Sequence, residues 1–117
     1  MIMGFDLTDK NGNEGRIPAW SRGVLAEAVD EYYEHAPVLW YRGDINNSEC
    51  LKIADALEKA IDDGWFLRDE AIEFEKQWIQ RNHNKQAMAI SNCKSQIRVA
   101  ERLISFLRNC GGYFKSI

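Results

Sequence analysis

The sequence predicts an α+β fold: about four helices packed on a small two- or three-stranded sheet formed by the N- and C-terminal strands. Three observations predict it. Apolar residues recur at helical spacing over four long stretches. A short extended segment, "GFDL" at 4–7, stands near the start. At the other end, "LRNCGGYFKSI" stops an apolar helix with Gly111 and Gly112 and then adds Tyr113, Phe114 and Ile117, where a disordered tail would carry polar residues.

"GFDL" reads as a strand, and the following "TDKNGNEG" is dense in turn formers, so the strand leads into a loop. In "IPAWSRGVLAEAVDEYYEH", the residues Trp20, Val24, Leu25, Ala28, Val29, Tyr32 and Tyr33 share one face of an amphipathic helix. Pro18 lies near its start and Pro37 beyond its end, where each is tolerated. Val38, Leu39, Trp40 and Tyr41 form a compact apolar run that reads as a short buried strand, with a packed loop as the alternative. Asn46 and Glu49 then have the spacing of a capping box, so a helix begins there. It buries Cys50, Ile53, Ala54, Leu57 and Ile61 and stops at Gly64, a left-handed position.

"WFLRDEAIEFEKQWIQRNHN" continues as a third helix with Leu67, Ala71, Phe74 and Trp78 on its apolar stripe, while Asp69, Glu70, Glu73 and Glu75 load its early turns with charge that suits the positive helix end. The Asn-His-Asn stretch at 82–84 reads as a turn. The last helix carries Ile90, Cys93, Ile97, Ala100, Ile104 and Leu107 on its apolar side. "YFKSI" is then a terminal strand, with "GFDL" and "VLWY" as its available partners. Left as an edge, it could instead pair across a two-fold axis and make a homodimer.

Residues 1–117 fit one globular domain, long enough to bury a core without staples. The 45% hydrophobic, 28% charged composition is far from the disordered regime. No run approaches the roughly 18 apolar residues of a membrane span, and "MIMGFDLTDK" has neither a basic leader nor an apolar signal core, which points to a cytoplasmic address and no membrane partner. Cys50, Cys93 and Cys110 are odd in number and lack Cys-x-x-Cys spacing; His35 and His83 form no paired-ligand pattern. Reduced thiols follow, with no metal and no cofactor expected.

Several of these stretches resemble a family of small uncharacterised proteins of bacteria and their phages. The resemblance is carried by Gly4-Phe5-Asp6-Leu7, Trp20, Gly43-Asp44-Ile45, the helical stretch Ile53-Ala54-Asp55-Ala56-Leu57, and Phe106-Leu107-Arg108-Asn109-Cys110-Gly111-Gly112-Tyr113. The chain departs from that pattern in lacking a dense tryptophan cluster near residue 20 and in having Tyr113 where the family has phenylalanine. The resemblance implies a phage or mobile-element setting and carries no activity and no catalytic residue.

Charge supplies the remaining clues. The net charge is −3, but residues 1–80 hold 17 acids against 8 Lys/Arg while residues 81–117 hold 7 Lys/Arg against one acid. Lys94, Arg98 and Arg102 recur every four residues and so share one helix face, with Arg81 and Lys85 just upstream. Such a stripe can grip phosphates or an acidic protein surface; it can also be a solvated face, or pair internally with the acidic half. The acids around Asp55, Glu58, Asp62, Asp63, Asp69, Glu70 and Glu73 are the mirror case, a surface complementary to a basic groove. Trp40, Tyr41 and Trp65 are candidate aromatic anchors for an interface, or core.

For catalysis the candidates are thin. The pairs Asp62-Asp63 and Asp69-Glu70 could raise one another's proton affinity, but acids on helix ends ordinarily serve solubility. Cys50, in the first turn of its helix, could have an activated thiol, against the common fate of burial. His83 could act as a base on a loop, yet the partners that define such a site are not visible. The expectation is a non-catalytic binding protein acting through protein contacts as an inhibitor, immunity or host-modulating factor. A nucleic-acid-binding accessory protein using the basic stripe, and an enzyme with an unrecognised site, are the alternatives.

Overall fold

Asp9 organises the first turn of the chain. Its carboxylate accepts from the backbone N–H groups of Asn11 (2.9 Å) and Asn13 (2.8 Å) and from the Asn13 side-chain amide (3.0 Å), an Asx-type turn that folds the chain back on itself. The result is an antiparallel hairpin of β1 (Phe5–Asp9) and β2 (Glu14–Ile17), where the sequence pointed to one strand and a loop. Gly15 and Ile17 of β2 face inward, and Glu14 and Arg16 face out. Arg16 lies 3.9 Å from the carboxylate of its cross-strand neighbour Asp6. The computed structural model describes residues 5–9, 11–37, 40–42, 44–79 and 84–115.

Helix α1 (Ala19–Tyr32) buries Ser21, Leu25, Ala28 and Val29. Trp20, expected on that face, is 59% exposed, because one residue before Ser21 it is rotated about 100° from the buried row. Beyond α1, Trp40–Arg42 form one turn of 3₁₀ helix, and the chain joins the sheet only at β3 (Ile45–Asn46). The expected strand at 38–41 is thus corrected where it can be seen; Val38 and Leu39 lie outside the described residues. The reason is geometric. Trp40 and Tyr41 are adjacent and both buried, with rings edge-on at 5.6 Å, whereas neighbours in a strand point to opposite faces.

Helix α2 (Asn47–Asp62) starts as expected, with Asn46 Oδ1 accepting from the Glu49 N–H at 2.9 Å. The second half of the capping box is diverted: Glu49 accepts instead from the Tyr33 hydroxyl at 2.5 Å, which ties the end of α1 to the start of α2. Gly64 ends the helix at φ 74°. One turn of 3₁₀ helix (Trp65–Leu67) follows, with Phe66 buried as its anchor, and then α3 (Asp69–Lys76), which is shorter than expected and contributes no buried residue. Helix α4 (Lys85–Asn109) buries Ala89, Cys93, Gln96, Val99, Ala100, Leu103 and Leu107, leaving Ile90, Ile97 and Ile104 half-buried. Its core stripe is therefore rotated from the one the isoleucines mark.

Gly111 (φ 70°) and Gly112 (φ 117°) turn the chain into β4 (Gly112–Lys115). The sheet order is β2-β1-β4-β3, all pairs antiparallel, with Leu7 opposite Lys115 and Ile45 opposite Tyr113. The α+β class holds, with four helices and four strands among the described residues. The sheet unites the chain ends as expected but is wider, since β2 and β3 join it. Because β4 is paired on both sides, it presents no edge for a two-fold partner. Helices α2 and α4 pack on each other and cover the sheet, α2 against β4 and α4 against β2, and their Ile53, Leu57, Leu103 and Leu107 are fully buried. Arg108 of α4 reaches Asp55 (3.0 Å) and Glu58 of α2, so the acidic and basic parts of the chain do meet there.

Two outcomes follow for stability. A Cβ at Gly112 would stand 3.1 Å from the Ile45 carbonyl oxygen at a φ that L side chains rarely adopt, so Gly112→Ala lowers stability by about 2–3 kcal/mol. Gly23→Ala, in open space on α1, raises it by about 0.5–1 kcal/mol; denaturant midpoints measure both. Burial pushes the Asp9 carboxyl up, but the hydrogen bonds from Asn13, Asn11 and Gly12 outweigh it and hold it below the ordinary carboxylate range. Asp9 therefore stabilises the fold at pH above the ordinary carboxylate range and loses its effect as pH falls below that range through the lowered value. Asp9→Asn lowers neutral-pH stability and flattens its decline at acidic pH, as read by acid titration of the unfolding midpoint.

Candidate functional site

The short α3 leans on α4 and stands apart from α1, and a cleft of about 460 Å³ opens between them. Local sequence explains the opening. Gly64 reverses the chain after α2, Phe66 pins the 3₁₀ turn into the core, and the eight residues of α3 then run over the surface. Its apolar residues Ala71 and Phe74 line the cleft rather than the core. Trp20 and Val24 of α1 form the facing wall, and Cys93 and Gln96 of α4 belong to its lining as well. Phe74 is 54% exposed and Trp78 is 70% exposed, their rings edge-on with centroids 5.9 Å apart. A second groove of about 470 Å³ shares Trp20, Phe74, Glu75 and Gln96 with the first and adds Trp78.

Charged groups border the apolar surface. The Arg68 guanidinium lies 4.0 Å from the centroid of the Trp65 ring, donates to the Trp65 carbonyl (3.0 Å), and faces Glu27 (3.9 Å) and Glu70 (3.7 Å). Glu75 accepts a long bond from the Asn92 amide (3.4 Å). Gln96, only 6% exposed, donates through Nε2 to the Trp20 carbonyl (3.3 Å), while its Oε1 has no partner. Burial pushes the Cys93 thiol up, Glu75 adds to that, and Arg68 opposes it. Such a cleft offers aromatic faces and carboxylates, which is equipment for binding.

Of the aromatic residues singled out from sequence, only Trp65 belongs to this surface; Trp40 is 2% exposed and Tyr41 8%, both in the core. Trp20, Phe74 and Trp78 were expected on buried stripes, and it is their exposure that makes the site. No signal in the sequence set these three apart, because their helical spacing is that of a core stripe. Lys94, Arg98 and Arg102 are exposed on one face of α4, Arg98 donating to Ser95 Oγ (2.9 Å), and among the described residues none of the three forms an ion pair. Lys85 is half-buried at the start of α4, and Arg81 and His83 lie outside the described residues.

The catalytic candidates are dispersed. Asp62, Asp63, Asp69 and Glu70 are exposed on helix ends, and Glu70 is engaged by Arg68. Among the described residues no three His, Cys, Asp or Glu side chains are grouped to hold a metal ion. Cys50 and Cys110 are buried side by side, sulfurs 3.6 Å apart, with the Gly112 N–H on Cys110 Sγ (3.4 Å). Burial, with the neighbouring Cys110, pushes the Cys50 thiol up to about 12, the reverse of activation by its helix end. Comparison with protein-family models, curated proteins and solved structures finds no match.

All three thiols are buried, so in the native chain at pH 8 each alkylates about a hundredfold more slowly than in denaturant. Timed labelling with iodoacetamide followed by peptide mass mapping measures this, and fast native labelling of Cys50 would revive the case for an activated thiol.

Proposed function

We propose that this chain is a non-catalytic binding protein of a phage or mobile element, acting in the cytoplasm through protein contacts as an inhibitor, immunity or host-modulating factor. The observation that carries the reading is the open aromatic cleft. Trp20, Phe74 and Trp78 are large apolar side chains left in solvent on one continuous surface, and aromatic clusters of this kind are characteristic of interface anchors. Leaving them wet costs the fold burial it could otherwise use; a partner that covers them recovers it. The mobile-element setting rests on the motif resemblance at the two chain ends.

A second reading has its own observation. Lys94, Arg98 and Arg102 span roughly 12 Å along α4 with no ion pair among the described residues, and such a row can hold phosphates in a salt-dependent way.

One experiment separates them. The protein is used as bait in lysate at low and high salt, with and without nuclease, beside Trp20→Ser/Trp78→Ser and Lys94→Glu/Arg98→Glu/Arg102→Glu variants. These are surface changes and leave folding intact to within about 1 kcal/mol. The first reading expects a nuclease-resistant protein partner that the tryptophan variant loses and the charge variant keeps. A nuclease-sensitive catch lost only by the charge variant transfers the function to α4, and a protein catch indifferent to the tryptophans removes the cleft from consideration.

A further inference from the structure

The inner end of the cleft already holds a cation. The Arg68 guanidinium carbon lies over the Trp65 ring, 4.0 Å from its centroid, with Glu27 and Glu70 beside it. A planar guanidinium on an aromatic face, flanked by carboxylates, is a mutually favourable arrangement. The outer end repeats those ingredients with no cation of its own. Trp20, Phe74 and Trp78 supply rings, Glu75 supplies a carboxylate, and Gln96 belongs to the lining with its Oε1 buried and without a donor. Among the described residues no cationic side chain stacks on these three rings.

Two acceptors there are underused. Glu75 receives only the 3.4 Å bond from Asn92, and the buried Oε1 of Gln96 receives none. A buried acceptor without a donor is an unfavourable state that an incoming N–H relieves. The surrounding charge has the matching sign, since α3 carries Asp69, Glu70, Glu73 and Glu75 against Lys76.

From this we infer that the outer end of the cleft receives an arginine side chain presented by the partner protein. The inference rests on the protein-binding reading and specifies the chemistry of the partner. Guanidinium meets three requirements together: a flat face for the rings, several N–H donors for Glu75 and Gln96, and a positive charge for the acidic helix. Lysine brings the charge without the flat face or the fork. A neutral or acidic side chain leaves the Glu75 carboxylate desolvated and uncompensated.

The test is a titration of the ¹⁵N-labelled protein with a capped Gly-Ser-Arg-Ser-Gly peptide and with its lysine and citrulline twins, following the tryptophan indole N–H signals by NMR. Citrulline keeps the shape of arginine and removes its charge. The expected result is a saturable shift of the Trp20 and Trp78 signals, with the buried Trp40 unmoved, and affinity about tenfold weaker for the citrulline peptide and for the Glu75→Gln protein. Equal affinity for the citrulline twin, undiminished affinity in Glu75→Gln, or no saturable shift at millimolar peptide overturns the inference. Its failure is separable from that of the broader reading. A lysate partner that needs Trp20 and Trp78 but ignores Glu75→Gln refutes the arginine receptor and leaves the binding cleft in place.

Discussion

The last strand of the chain, β4, lies between β1 and β3, and the rest of the fold depends on that insertion. Without it the N-terminal hairpin and the entry to α2 have no shared hydrogen bonds, and the sheet separates into a hairpin and a two-residue stub. The insertion in turn depends on Gly111 and Gly112, whose left-handed backbone turns the chain from the axis of α4 into the sheet within two residues. Cys110 and Cys50 occupy the space beneath this turn. They are small, apolar and close to Ile45 and Leu107, so their thiols serve as packing and a few weak hydrogen bonds.

The same economy does not reach α3. Helices α1, α2 and α4 each send a row of residues into one core, whereas α3 contributes none. An eight-residue helix attached by a 3₁₀ turn has only about two turns with which to cover anything. Its apolar side therefore faces α4 at its base and open solvent above, and Trp20 and Trp78 complete a surface that the fold itself never closes. The cleft is a product of chain length and one glycine reversal rather than of any catalytic grouping.

Much of the architecture was legible because it is set locally. Asn46 caps α2, Gly64 stops it, and the double glycine launches β4; each is a property of a few adjacent residues. The strand β2 was not legible because its turn is made by the Asp9 side chain, and turn formers alone do not distinguish a hairpin from a loop. Trp40 and Tyr41 departed from the strand reading because both rings are buried edge-on from one 3₁₀ turn, an arrangement set by tertiary packing. The site was harder still. Trp20, Phe74 and Trp78 keep helical spacing with core residues, and whether such a stripe is covered depends on which helices meet above it. Periodicity reports that a face is apolar; only packing decides whether something covers it.

Charge segregation along the sequence becomes a division of faces in space, and α4 is where the two meet. One side of α4 gives Cys93 and Gln96 to the acidic, aromatic cleft, another projects Lys94, Arg98 and Arg102 into solvent, and its end locks to α2 through Arg108. That last contact uses a single cation of the basic half. Among the described residues Lys94, Arg98 and Arg102 form no ion pair, and of the α3 acids Glu70 and Glu73 are paired only with neighbours in sequence, Arg68 and Lys76, so the basic row of α4 and the acids of α3 do not cancel each other. A fold that needed its charges only for cohesion would bring them together. Keeping them apart, with the aromatic rings exposed on the acidic side, is the arrangement that the proposed binding would use: a partner of complementary charge would feel a long-range attraction to the cleft before any ring is covered, and short-range burial on arrival.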